Sequence, residues 1–94
     1  MVQKAKVTPK FELSQNWPNP CQNSTVIPFT LDAPCRVRLS VENSHAVTVA
    51  VILDKELDAG SYLESFHSDR LDRGEYTYKL EAGGRVLTRQ MTVH

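Results

Sequence analysis

Three histidines, two cysteines and a run of carboxylates are the residues of this 94-residue chain whose types could do chemistry. His45, His67 and His94 include no pair at metal-ligand spacing, and a zinc site needs four ligands or three plus water. They read as solvated loop histidines. Asp54, Glu56 and Asp58 share one face of an extended segment, as at the start of a calcium loop. Such a loop needs glycine at its sixth position and a bidentate glutamate at its twelfth, which here are Ala59 and Ser65. An EF-hand is therefore excluded, and a simpler calcium site competes with a solvated acidic loop. Ser65-Phe66-His67-Ser68-Asp69 holds the residue types of a hydrolase triad. Adjacency is not triad geometry, and no strand-turn-helix elbow presents a serine. No catalytic residue, metal or cofactor is expected, and the chain does not read as an enzyme. Asn23-Ser24-Thr25 matches a glycosylation triplet of a kind that arises often by chance.

Cys21 and Cys35 flank a strand, Thr25–Leu31. Seven extended residues span roughly 20 Å, and a disulfide needs Cα atoms within about 7 Å. A bridge would require the Cys21 loop to fold back along that strand. Two separate small apolar side chains are the preferred reading.

The elements that must position these residues are strands. Ile27, Phe29 and Leu31 share one face of Thr25–Leu31, and Val37, Leu39 and Val41 share one face of Arg36–Val41. Val47–Leu53 is apolar on both faces apart from Thr48. It predicts a strand covered on both sides or near a sheet corner, its β-branched content weighing against a helix. Tyr62–Phe66 is a weaker strand. Glu75–Leu80 sets Tyr76, Tyr78 and Leu80 together, so at least one tyrosine belongs to the core rather than to an exposed aromatic surface. Arg85–Val93 sets Leu87, Arg89, Met91 and Val93 on one face, which predicts a strand at a sheet edge or running past the core. Gly83-Gly84 marks a tight hairpin. Pro28 cannot donate to a ladder and predicts an edge position or a bulge. About seven short strands without a helix predict an all-β, immunoglobulin-like antiparallel β-sandwich. Residues 1–10 read as an N-terminal linker or extension and residues 11–94 as one domain.

Lys+Arg and Asp+Glu both number 11, so the formal charge cancels. That argues against nucleic acid, which needs an electropositive stripe, and against a polybasic membrane-surface module. No stretch approaches the roughly 18 apolar residues of a spanning helix. No signal peptide opens the chain, because residues 1–10 are polar with three lysines. Any export signal is expected upstream.

Phe11-Glu12-Leu13-Ser14-Gln15-Asn16-Trp17-Pro18-Asn19-Pro20 opens the domain, and Ser24–Leu31 follows it. Gly74-Glu75-Tyr76-Thr77-Tyr78-Lys79-Leu80, Gly83-Gly84 and Thr88-Arg89-Gln90-Met91 come near the end. In order and spacing these segments resemble the C-terminal sorting domain of the type IX secretion system of Bacteroidetes. They are also similar to the related immunoglobulin-like domain of flagellar hook-capping proteins. The resemblance covers Phe11 to His94. Ala46 stands where glycine is usual in that family, Cys21 where an aromatic is common, and His94 where a basic residue is frequent.

The resemblance implies a non-catalytic domain at the C-terminus of an exported cargo protein. Its partner would be the secretion machinery at the outer membrane, reached through the periplasm. Removal or attachment to surface lipopolysaccharide would follow, leaving the cargo secreted or on the cell surface. It carries over Gly74, Tyr76, Lys79, Arg89 and Met91 as sorting-signal candidates, and Asn16, Trp17, Pro18, Asn19 and Pro20 as the family-marker loop. Physically, Pro18 and Pro20 fix φ and pin the loop into the next strand. Trp17 is expected to pack over an open end of the core, and Gly74 to place Tyr76 at a sandwich corner. The alternative is a structural or adhesive sandwich that offers an edge strand or loop to a protein or glycan.

Overall fold

The computed structural model describes residues 10–94, so the linker assigned to residues 1–10 lies outside the described residues except for Lys10. Eight strands follow one another: β1 (Phe11–Leu13), β2 (Trp17–Gln22), β3 (Ser24–Leu31), β4 (Cys35–Glu42), β5 (Thr48–Leu57), β6 (Gly60–His67), β7 (Gly74–Ala82) and β8 (Arg85–Val93). They form the all-β, immunoglobulin-like sandwich that alternation predicts. Six of the eight are the segments that alternation marks, against about seven strands expected; the other two, β1 and β2, come from the Phe11–Gln22 opening, where prolines obscure any period.

In the first sheet β3 is central. β6 pairs antiparallel with it from Ser24↔His67 to Leu31↔Gly60. Its other edge is divided between β1, from Phe11↔Leu31 to Leu13↔Phe29, and β2, at Trp17↔Val26. The second sheet runs β5-β4-β7-β8, all antiparallel. β2 also reaches this sheet, where Cys21 pairs in parallel with Val93. The Trp17–Pro18 and Asn19–Pro20 peptide bonds are cis.

The core lies between the inward faces. Ile27, Phe29 and Leu31 from the first sheet meet Val37, Leu39, Val41, Tyr78, Leu80 and Met91 from the second, all at most 4% exposed. Each such side chain contributes about 1.5–3 kcal/mol by leaving water. Phe29 stacks on Tyr62 of β6 at 5.1 Å between ring centroids. Cys21 and Cys35 are both free thiols, Cys21 fully buried.

Three expectations change. β5 is not covered on both sides: it is an edge strand paired only with β4, and Val47, Val49 and Val51 are exposed. Register shifts between Leu39 and Ser40 and between Val41 and Glu42 interrupt its alternation, so the apolar run does not face one core. Trp17 does not cap the core; it is 76% exposed, because inward-facing Asn16 turns its neighbour out. Pro28 sits in a strand paired on both sides, opposite the break between β1 and β2. Its carbonyl accepts from the Ser14 N–H at 3.0 Å, so its nitrogen faces that same neighbour. A missing donor there disturbs only one position. Ala46 takes a positive φ of 60°, a left-handed conformation that favours glycine.

Candidate functional site

The residues singled out by motif fall on the last strand pair and on β2. Gly74 opens β7 with φ of 149°, a conformation that L side chains rarely adopt. It faces Val93 in register, and Tyr76 faces Met91. These residues gather at one end of the sandwich. The Tyr76 hydroxyl donates to the Asp72 carbonyl at 2.8 Å, the geometry of a tyrosine corner. Tyr76 and Met91 are 8% and 0% exposed, so they present no side chain to a partner.

Lys79 and Arg89 diverge. Lys79 points to the outer face of the second sheet, its Nζ 3.3 Å from Glu42 Oε2 and 3.9 Å from Glu81 Oε1. Arg89 lies on the opposite face, where its Nε donates to the Leu13 carbonyl at 2.9 Å. The last strand therefore passes the core edge, as its patterning predicts, and its arginine ties the two sheets together. The five sorting-signal candidates do not form one constellation.

The marker loop is anchored by a buried polar network. Asn16 is 2% exposed. Its Nδ2 donates to Thr25 Oγ1 at 3.0 Å and to the Pro18 carbonyl at 3.2 Å. Thr25 Oγ1 donates to the same carbonyl at 2.9 Å. The Tyr78 hydroxyl accepts from the Asn16 N–H at 2.8 Å and donates to the Ser14 carbonyl at 2.6 Å. Burial pushes the Tyr78 phenol above its ordinary range, against the Asn16 N–H and the Arg89 guanidinium, which favour the anion. No buried side-chain nitrogen or oxygen among the described residues lacks a partner.

Outside this anchor, Trp17, Pro18, Asn19 and Pro20 are exposed beside the outer edge of β8. Side chains stand in there for a neighbouring strand. Asn19 Oδ1 accepts from the Thr92 N–H at 2.9 Å, and Gln15 Nε2 donates to the Gln90 carbonyl at 2.7 Å. The His94 N–H donates to the Cys21 carbonyl at 2.9 Å. Sequence reasoning missed Gln15, Tyr78 and Thr92 as participants. Their partners lie 62 to 75 residues away, so no local pattern marks them.

The remaining chemistry-bearing residues are separate. Asp54 and Glu56 belong to β5 rather than to a loop, and Asp54 Oδ1 is 3.0 Å from the Arg36 guanidinium. His67 is exposed, whereas Ser68 is buried with its N–H donating to the Asn23 carbonyl at 2.7 Å. Cys21 Sγ lies 3.6 Å from Ser68 Oγ. Burial pushes the Cys35 thiol up, with Glu56 and Asp32 adding to the effect. Among the described residues, no group of three or more His, Cys, Asp or Glu is disposed to hold a metal ion, and no helix is long and apolar enough to cross a membrane. Compared with family models, curated proteins and solved structures, the chain matches none.

Proposed function

We propose that this domain is a non-catalytic sorting domain that directs an exported cargo through the type IX secretion system to the cell surface, as the resemblance of its opening and closing segments implies. The observation that supports this reading is the Asn19–Thr92 bond. It joins the marker loop to the final strand, 73 residues apart, on one exposed edge. A receptor that reads both motifs then meets one continuous surface, with the Tyr76 corner and Met91 setting its shape from beneath. Surface lipopolysaccharide attachment and a Bacteroidetes host belong to the same proposal.

The test is transfer. Residues 11–94 are fused to the C-terminus of a periplasmic reporter in a host with a working type IX system. Reporter on the cell surface or in the medium supports the proposal; reporter retained in the periplasm overturns it. A second reading, an adhesive module that binds by strand addition, is favoured by the open edge of β5 with exposed Val47, Val49 and Val51. Position in the parent protein separates the two, since a sorting domain ends its cargo and an adhesive module stands anywhere.

A further inference from the structure

The outer edge of β8 is covered at one end and open at the other. Gln90 and Thr92 direct backbone groups away from β7, where Gln15 and Asn19 meet them. By alternation the N–H and C=O of Val86 and Thr88 point the same way, and no strand pairs with them there among the described residues. Across from this open stretch runs β1. Its flanking residues Lys10 and Ser14 bond toward β3, so the backbone groups of Phe11 and Leu13 turn toward β8. Between the two strands lies a cleft of about 390 Å³, bounded by residues 11–14 and 87–89.

The side chains along this edge alternate in kind. Arg85, Leu87 and Arg89 share one face of β8, with Leu87 half-buried between two exposed arginines. Arg85 lies over the Phe11 ring, 5.8 Å from its centroid, and Arg89 Nε reaches the Leu13 carbonyl. Neither guanidinium forms an ion pair among the described residues, whereas Arg36, Arg38 and Lys79 on the outer face of the same sheet are each paired. Glu12, the one carboxylate in the lining, alternates with Phe11 and Leu13 and points out of the first sheet. Asp32, past the end of β1, accepts from the Lys10 N–H. The cleft thus holds two cations roughly 13 Å apart along the strand, with an apolar position between them.

We propose that this cleft takes an extended acidic segment of another protein as an added strand on β8. Directly opposed residues share a face. The segment therefore sets one carboxylate against Arg85, an aliphatic residue against Leu87 and a second carboxylate against Arg89. Its backbone pairs with the open groups of Val86 and Thr88. Charge selects this occupant over a second copy, because no stretch of this chain has two carboxylates flanking an aliphatic residue at that spacing. A short segment buries little surface and is ordered on binding, so the dissociation constant is on the order of 100 μM. The inference does not rest on the sorting reading: a reporter retained in the periplasm leaves it standing, since it is read with purified components.

The probe is a capped peptide of about nine residues, with two aspartates flanking a central valine at that spacing and serine or threonine elsewhere. It is titrated to about 1 mM into the 94-residue chain, followed by amide NMR and hydrogen exchange. Exchange at the Val86 and Thr88 amides should slow by about fivefold or more. The Leu87 amide, which points to β7, should stay as it was. Arg85→Gln should weaken binding about threefold, the worth of one exposed ion pair, and Arg38→Gln should leave it unchanged. A peptide with lysine in place of both aspartates should bind at least about tenfold more weakly. No binding at the highest concentration overturns the proposal. So does binding that leaves the Val86 and Thr88 amides unprotected, since the segment then lies elsewhere. Binding undiminished by Arg85→Gln or by the lysine exchange overturns it too, since charge then selects nothing.

Discussion

The Tyr78 hydroxyl donates to the Ser14 carbonyl at 2.6 Å, and Pro28 is the reason that carbonyl is free. In an unbroken ladder residue 28 would return a hydrogen bond to Ser14, whose N–H already donates to the Pro28 carbonyl. Proline has no donor to return. A phenol from the opposite sheet fills the place, and the same oxygen accepts from the Asn16 N–H. The edge that β1 and β2 share is thereby held by a side chain from β7.

Tyr78→Phe should cost about 1–3 kcal/mol, since it leaves the buried Asn16 N–H and the part-buried Ser14 carbonyl unpaired. Urea denaturation measures it. Adding Pro28→Ala supplies an N–H that reaches Ser14, so the pair should be less destabilised than the sum of the single variants by about 1 kcal/mol. Strict additivity would show that Pro28 and Tyr78 do not serve the same carbonyl.

Alkaline pH should weaken the fold through Tyr78. Its folded-state pKa is raised above the ordinary 10.0, first by burial. Between those values the unfolded chain releases a proton that the folded chain keeps, so stability falls as pH rises. The contribution is fully present below the ordinary value and is lost as pH climbs through the folded one. Cys35, raised above 9.0 by burial and by Glu56 and Asp32, acts in the same direction and is removed by working in Cys35→Ala. Urea midpoints from about pH 8 to about pH 11 should decline more steeply in Cys35→Ala than in Cys35→Ala/Tyr78→Phe. Parallel curves would exclude the phenol as the source.

Gly74→Ala should destabilise by about 1–3 kcal/mol through the backbone alone. A Cβ at Gly74 meets no heavy atom within 4 Å, but φ is 149°. Gly84→Asn is the control: with φ of 77° it lies near the left-handed region that asparagine tolerates, and its cost should stay below about 1 kcal/mol. Thermal melts that rank the two variants the other way would refute the assignment.

Asn19→Ala should leave global stability within about 1 kcal/mol, because the bond it removes is exposed. Locally it uncovers the Thr92 N–H. Amide exchange at Thr92 should accelerate by about tenfold or more while the amides of β4 keep their protection. Unchanged exchange at Thr92 would mean that Asn19 does not cap β8.

The strands that alternate cleanly were legible in the sequence: Ile27, Phe29 and Leu31, or Val37, Leu39 and Val41, fix both a period and a buried face. β5 was harder, since its bulges break the period and its valines look like core without being buried. Trp17 misleads for a related reason: large apolar residues favour interiors, but the pleat gave the inward position to Asn16. In the candidate site, composition and motif identify Asn19, Tyr76 and Met91. The pairing of Asn19 with Thr92, and of Tyr78 with Ser14, depends on how two sheets face each other, which no local window contains.

β2 belongs to both sheets, through Trp17↔Val26 in one and Cys21↔Val93 in the other. The opening of the domain is thus fastened by its last residues, a pairing of high contact order that forms late. As a ribosome releases the chain from its N-terminus, β2 waits for β8 before its second edge is closed. A chain broken off before Thr92 has neither the Cys21 ladder partner nor the group that Asn19 caps. Closure of β2 on β8 is therefore a physical record that translation reached the end of the domain.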